Sequence, residues 1–452
     1  MNLHPTYLLV VLLLAGARVQ SQFSLSGRSN RALQELIEFN EVLQSAHVGF
    51  ALYDVESGGY LYGYNARRHF VPASNVKLLT FYLAHRVLDH RTAAVHFREY
   101  PDRYELWGTG YPLTLHPDFA PYDELTPWLA SRDRPLVLNF PPGERLPRYG
   151  HGWSWDDYNY GSVFERHVLP VYANRLRLDR PQNPLPGPAP TAPVVGLPPS
   201  VAATVASDHT QRSRLRRSEY ANDFVAGPTL LTNGRFPLDR SLVMTPEFVA
   251  REIAAATPRV AVTLGDKPRP PLGELRYLEA TVPDTVYRRL LSDSDNFLAE
   301  QLLVQAAVSR YGRPDEATLR AYGQDTLLAP LELGDFRWAD GSGLSRYSLL
   351  TPDQLARLVL ALDQEVGRDR LLSLLPAGGR SGTLADRFTD RPAPYLWAKT
   401  GSLSGVHCLS GLLRTDRGRW LAFSLLINNQ LGDGRAVLGE VEEVMRYLRG
   451  AL

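Results

Sequence analysis

Lysine is nearly absent from this chain of 452 residues. Of 49 basic residues only Lys77, Lys267 and Lys399 are lysines, and the other 46 are arginine. Arginine does not give up its proton in a protein, whereas a buried lysine can. A chain that has shed lysine is expected to keep it where the amine itself is used. Cysteine is equally scarce. The lone Cys408 excludes an internal disulfide, and its apolar, strand-like surroundings suit a small buried hydrophobe. The eleven histidines are scattered, with no His-Glu-x-x-His and no cysteine–histidine cluster, so no metal site and no cofactor are expected. Charge of one sign is lacking too. A net charge of +1 offers no electrostatic case for binding nucleic acid. No segment is both long and apolar enough to span a bilayer comfortably. The apolar run at residues 7–17 has the length of a signal-peptide h-region, so residues 1–21 are expected to direct export. No lipid-bearing cysteine follows it.

What is present is an ordinary globular composition, 44% hydrophobic and 21% charged, in a chain long enough for two or more domains. Residues 30–45 read as a helix with Leu33, Leu36, Ile37 and Leu43 on one stripe. Residues 48–54 and 60–64 read as a hairpin around Ser57-Gly-Gly59. From about residue 91 the texture changes to short strand-like runs broken by Gly and Pro. Residues 180–200 hold eight prolines and read as an extended linker. Within this region, Gly152-Trp-Ser-Trp-Asp-Asp-Tyr-Asn-Tyr160 gathers aromatics around two acids. It reads either as a rigid surface loop or as a wall offering Asp156 to a cationic ligand. Helices return with Thr245-Pro, Ser294-Asp-Asn296 and Thr351-Pro-Asp353 as start signals. Three strands, at 395–399, 405–415 and 420–428, and an amphipathic helix at 435–449 close the chain. The expected fold is α+β: residues 22–90 and 281–452 build one antiparallel sheet flanked by helices, split by a β-rich insertion at 91–280.

Two of the three lysines lie in motifs that carry chemistry. In Val71-Pro-Ala-Ser-Asn-Val-Lys-Leu-Leu-Thr80, Pro72 and Ser74 signal a helix start, and positions three apart share a helix face. The Lys77 amine can then lie over the Ser74 hydroxyl. Desolvated and neutral, it could take the serine proton, beside the unpaired N–H groups of the helix N-terminus. Ser-x-x-Lys alone recurs by chance, and a capped surface helix is its bland meaning. Here it is followed in order by Ser294-Asp-Asn296 and Lys399-Thr-Gly401, each on a fitting element.

Together these pieces match the serine–lysine motif set of penicillin-binding proteins and class A β-lactamases. With Asp340-Gly-Ser-Gly-Leu-Ser-Arg346, Trp153-Ser-Trp-Asp-Asp-Tyr158, Leu426-Ile-Asn-Asn429 and the long insertion before Ser294, the chain resembles the class C penicillin-binding proteins of the penicillin-binding protein 4 type. The resemblance covers most of the chain and is thin between 180 and 280. It implies an exported, periplasmic serine D-Ala-D-Ala carboxypeptidase and endopeptidase of peptidoglycan, with β-lactams as covalent ligands. It implies Ser74 as nucleophile and Lys77 as base, its pKa lowered by burial and by Lys399. Ser294 would relay the proton to the leaving amine, Asn296 hold the substrate amide, and Lys399 and Thr400 bind the terminal carboxylate or polarise Ser294. Gly401 would let substrate lie along the sheet edge, the N–H groups of Ser74 and Ser402 would form the oxyanion hole, and Asp156 would meet a free amine of the stem peptide. The rival expectations are a β-lactamase or esterase on the same fold, and a non-catalytic wall-binding protein. A homodimer is left open.

Overall fold

The computed structural model describes residues 25–452 apart from 89–90, 180–194, 209, 211–213, 229, 231–235 and 433. The expected export segment, and most of the proline-rich stretch, lie outside the described residues.

A five-stranded antiparallel sheet is assembled from both ends of the chain. Its strands are β1 (His47–Asp54), β2 (Tyr60–Tyr64), β3 (Leu396–Leu403), β4 (Val406–Arg414) and β5 (Trp420–Asn428), in the order β3-β4-β5-β1-β2. β1 and β5 are buried on both faces, as expected of central strands covered by helices on either side. Val48, Phe50 and Leu52 of β1 point into a core shared with Val437, Val441, Val444, Met445 and Leu448 of α4 (Gly434–Ala451). Ala51 and Tyr53 point the other way, into the core built by α1 (Lys77–Leu88), α2 (Asn296–Tyr311) and α3 (Pro352–Val366). Thr351 and Gln354 close a reciprocal capping box at the start of α3. α2 is apolar around most of its circumference, with Phe297, Leu298, Leu302, Leu303, Ala306 and Ala307 fully buried, the pattern of a helix enclosed by the protein.

Between these halves in the chain, three further sheets are formed among the described residues. The largest is a five-stranded mixed sheet ordered Val262–Gly265, Leu136–Asn139, Tyr104–Gly108, Arg91–Glu99 and Arg276–Thr281. Two three-stranded sheets complete the stretch. Lys267, the lysine outside the motifs, sits here in an ion pair with the buried Glu105.

Three local readings change. The helix expected over 30–45 is broken, because the Asn40 side chain accepts from the Val42 and Leu43 N–H groups and starts a new turn. The strand expected to end at Lys399 runs on to Leu403, since Thr400, Gly401 and Ser402 pair with Leu409, Cys408 and His407. The third change concerns the nucleophile and belongs to the site.

Candidate active site

Ser74 lies in a 3-10 turn, Ala73–Val76, that runs straight into α1 at Lys77. It does not cap the helix with its side chain, as its position before the apolar run suggested; its hydroxyl donates to the Ser342 carbonyl at 3.4 Å and accepts from Lys77. The turn is held in an uncommon conformation: Ala73 has φ +46°. Two glycines allow the approach of neighbouring backbone. A Cβ on Gly343 would stand 1.9 Å from the Ala73 carbonyl oxygen, and one on Gly401 would stand 3.0 Å from the Ser74 nitrogen. The β3 edge and the loop at 340–346 therefore clamp the nucleophile turn from two sides, in contacts that a side chain would push apart.

Lys77 is fully buried, and its amine has three partners. It donates to Ser74 Oγ at 3.0 Å, to Asn296 Oδ1 at 2.5 Å and to the Ser342 carbonyl at 2.6 Å. Burial pulls its pKa down from 10.5 to about 8, against the opposing charges of Asp340, Glu300 and Asp295. Lys399 is held well below the ordinary lysine range by burial and then by the charge on Lys77, a repulsion that the two amines share. Two amines sharing a desolvated pocket cannot both keep protons cheaply, and the neutral form becomes accessible near neutral pH.

Lys399 donates to Ser294 Oγ at 2.9 Å and to the Thr400 carbonyl at 2.8 Å. Ser294 precedes the N-cap Asp295 of α2 and has φ +62°, a strained conformation for a non-glycine residue. Asp295 caps α2 through the Leu298 N–H and is tied to Arg175 at 3.3 Å, so a residue far back in the chain helps fix the serine beside it. Asn296 accepts from Lys77 with its oxygen, while its Nδ2 donates to the Ser162 carbonyl at 2.8 Å. Thr400 Oγ1 bonds Thr383 Oγ1 at 2.7 Å. The Cys408 thiol, buried and pushed up to about 12 by burial, faces the Val71 carbonyl and stands apart from this chemistry.

Ser74, Lys77, Ser294, Asn296 and Lys399 are thus linked in two hydrogen-bonded groups, with Thr400 continuing from Lys399 and Gly401 packed on the nucleophile turn. Ser402 is exposed one residue further along β3. Asp156 is exposed on the turn Trp155–Asn159 and joins neither group. The stretch carrying it is nonetheless anchored to the loop at 340–346: Trp153 Nε1 donates to Asp340 Oδ2 at 2.9 Å.

Sequence reasoning missed four participants. Ser342 acts through its backbone carbonyl, which leaves no side-chain signal. Asp340 binds the Gly343 and Ser345 N–H groups and shapes the loop that carries that carbonyl. Glu300 accepts from the Ser342 N–H, and its signal was available as a lone acid in an apolar helix. Thr383 meets Thr400 next to Gly382, which packs against Ser292, a proximity of folding rather than of sequence.

The sequence profile of the D-Ala-D-Ala carboxypeptidase 3 (S13) family matches residues 29–94 and 283–448, just over half of the chain. The chain belongs to this family. The S13 match skips the stretch that holds the three additional sheets. Carboxypeptidase DacB of Mycolicibacterium smegmatis is 35% identical over 176 residues, which are 35% of this chain and 36% of that protein. D-alanyl-D-alanine carboxypeptidase DacB of Haemophilus influenzae is 30% identical over 167 residues, 35% of each chain. The alignments thus span about a third of these curated relatives. The crystal structure of penicillin binding protein 4 (dacB) from Haemophilus influenzae superposes with a TM-score of 0.69 at 21% identity, covering 93% of this chain and 99% of that one. At that identity it is the fold that is shared.

Proposed function

We propose that this protein is a serine D-Ala-D-Ala carboxypeptidase and DD-endopeptidase of peptidoglycan that works through an acyl-enzyme. The observation that carries this is the Ser74 hydroxyl 3.0 Å from a fully buried lysine amine. Family membership supports the same reaction class.

In the proposed sequence the neutral Lys77 amine takes the Ser74 proton as Oγ attacks the carbonyl of a D-Ala-D-Xaa bond. The tetrahedral oxyanion is received by the N–H groups of Ser74 and Ser402. The C–N bond breaks as the proton taken up by Lys77 is relayed to the leaving amine through Ser294, which is held by Lys399 and regains a proton as it gives one. Lys399, Thr400 and Thr383 receive the terminal carboxylate. Asn296 exchanges Ser162 for the substrate amide, and substrate lies along the free edge of β3 over Gly401. Water then cleaves the acyl ester, with the base regenerated at Lys77. In a β-lactam the leaving amine stays tethered to the acyl group, so the ester persists. Asp156, exposed on an anchored turn, is assigned to a free amine on the stem peptide.

Residues 22–90 and 281–452 are proposed as the catalytic unit and 91–280 as an inserted module. Residues 1–21 are proposed to export the protein to the periplasm; among the described residues no helix is long and apolar enough to cross a membrane.

Mass spectrometry of pentapeptide and cross-linked muropeptides after incubation tests both activities. Loss of terminal D-Ala marks the carboxypeptidase, and conversion of dimers to monomers marks the endopeptidase. Intact muropeptides together with nitrocefin turnover faster than about one per second would support a β-lactamase instead. Absence of labelling by a fluorescent penicillin on folded protein would support a binding protein.

A further inference from the structure

One turn beyond Asn296, α2 carries a second polar residue into the core. Glu300 is 2% exposed and is surrounded by Ala299, Leu303 and the loop at 340–343. A carboxyl group in such a place is expensive unless it is engaged. Its Oε1 accepts the Ser342 N–H at 2.7 Å, and the Ser342 carbonyl in turn accepts the Lys77 amine at 2.6 Å. Asn296 on the same helix face supplies another acceptor to that amine. Two of the three partners of Lys77 are therefore set by residues four apart on α2.

We propose that Glu300 is a positioning residue for the base, bracing Ser342 beneath the Lys77 amine and setting a buried negative charge that governs when the amine becomes neutral. This rests on Lys77 acting as the base. The charges around the pair are few and named. Lys77 faces Asp340, Asp295 and Lys399 besides Glu300, and Glu300 faces Asp340, Arg166 and Glu316, the last paired with Arg166 and Arg320. Burial, then Asp340, push the Glu300 carboxyl up to about 7. Above that pH its charge holds the proton on Lys77, so the active form is reached at higher pH than the site would otherwise require. Removing the charge alone shifts the acid limb of acylation to lower pH.

The test is the rate of acylation by a fluorescent penicillin, measured from about pH 6 to about pH 9 on the full chain, for wild type, Glu300→Gln and Glu300→Ala. The glutamine keeps an oxygen for the Ser342 N–H. Its plateau rate is expected within about threefold of wild type, with the half-maximal pH moved down. The alanine leaves Ser342 unbraced, and its plateau is expected to fall by more than about tenfold. Coincident pH midpoints for wild type and Glu300→Gln overturn the proposal, as does a wild-type plateau in Glu300→Ala. If Glu300→Ala does not fold, the midpoint of Glu300→Gln decides by itself. Failure of the wild type to be labelled would instead count against the site's proposed chemistry.

Discussion

If Lys77 is the base, acylation must follow the deprotonation of one buried amine. Its pKa is drawn down to about 8. The neutral share is then roughly one hundredth at pH 6, one tenth at pH 7, one half at pH 8 and nine tenths at pH 9. The second-order rate of acylation by a penicillin should rise about tenfold between pH 6 and pH 7, less steeply to pH 8, and flatten above it. The whole span from pH 6 to pH 9 amounts to roughly ninety-fold. The perturbation is pH alone, and a penicillin carboxylate stays ionised throughout. Stopped-flow or quenched labelling gives the rates, with circular dichroism at each pH to confirm the fold. A rate that is flat from pH 6 to pH 9 would refute the reasoning. So would a limb centred near 10.5, the value of an unburied lysine.

Further expectations concern packing and recognition. Gly343→Ala places a Cβ 1.9 Å from the Ala73 carbonyl oxygen at φ +80°, and should cost about 2 kcal/mol or more in denaturant unfolding while slowing acylation. Gly401→Ala brings a Cβ to 2.7 Å from Asn75 Nδ2 and 2.8 Å from the Pro72 carbonyl oxygen, and should slow acylation at least about tenfold by moving the nucleophile turn off β3. Thr383→Val removes one hydroxyl of the Thr400 pair and should raise KM roughly tenfold for a peptide ending in a free carboxylate, with little change for the corresponding carboxamide. His116 is buried beside Phe297, and burial, then Arg175, push it down from 6.5 to about 3. Its folded value lies below its unfolded one, so stability is complete above pH 6.5 and is lost as pH falls towards 3. By pH 5 the loss is about 2 kcal/mol, and His116→Asn should be spared it in urea titrations at pH 7 and pH 5.

The part of the fold that carries the candidate site was legible because its elements announce themselves. β5 was read with its observed bounds from an apolar run between turn residues, and α3 from Thr351-Pro-Asp353. The five motif residues were legible because a chain with three lysines draws attention to each one. The clamp around them was not. Ser342 contributes a carbonyl, Thr383 reaches Thr400 from the far side of a glycine turn, and Ser162 comes from a distant strand-rich segment. Contacts of that kind are made by topology, and local pattern does not encode them. The acids around Lys77 were not legible for a similar reason. Sequence shows that two amines share motifs, but how far burial is opposed depends on three acids, Asp340, Glu300 and Asp295, that only the fold assembles.

The most direct measurement is intact-protein mass spectrometry of Lys77→Arg after exposure to a penicillin, alongside wild type. The guanidinium keeps the positive charge and cannot release its proton. Wild type should gain the mass of one penicillin, which a digest places on the peptide that contains Ser74, and the folded variant should gain none. A variant acylated at the wild-type rate would mean that the hydroxyl at 74 does not depend on a neutral amine at 77.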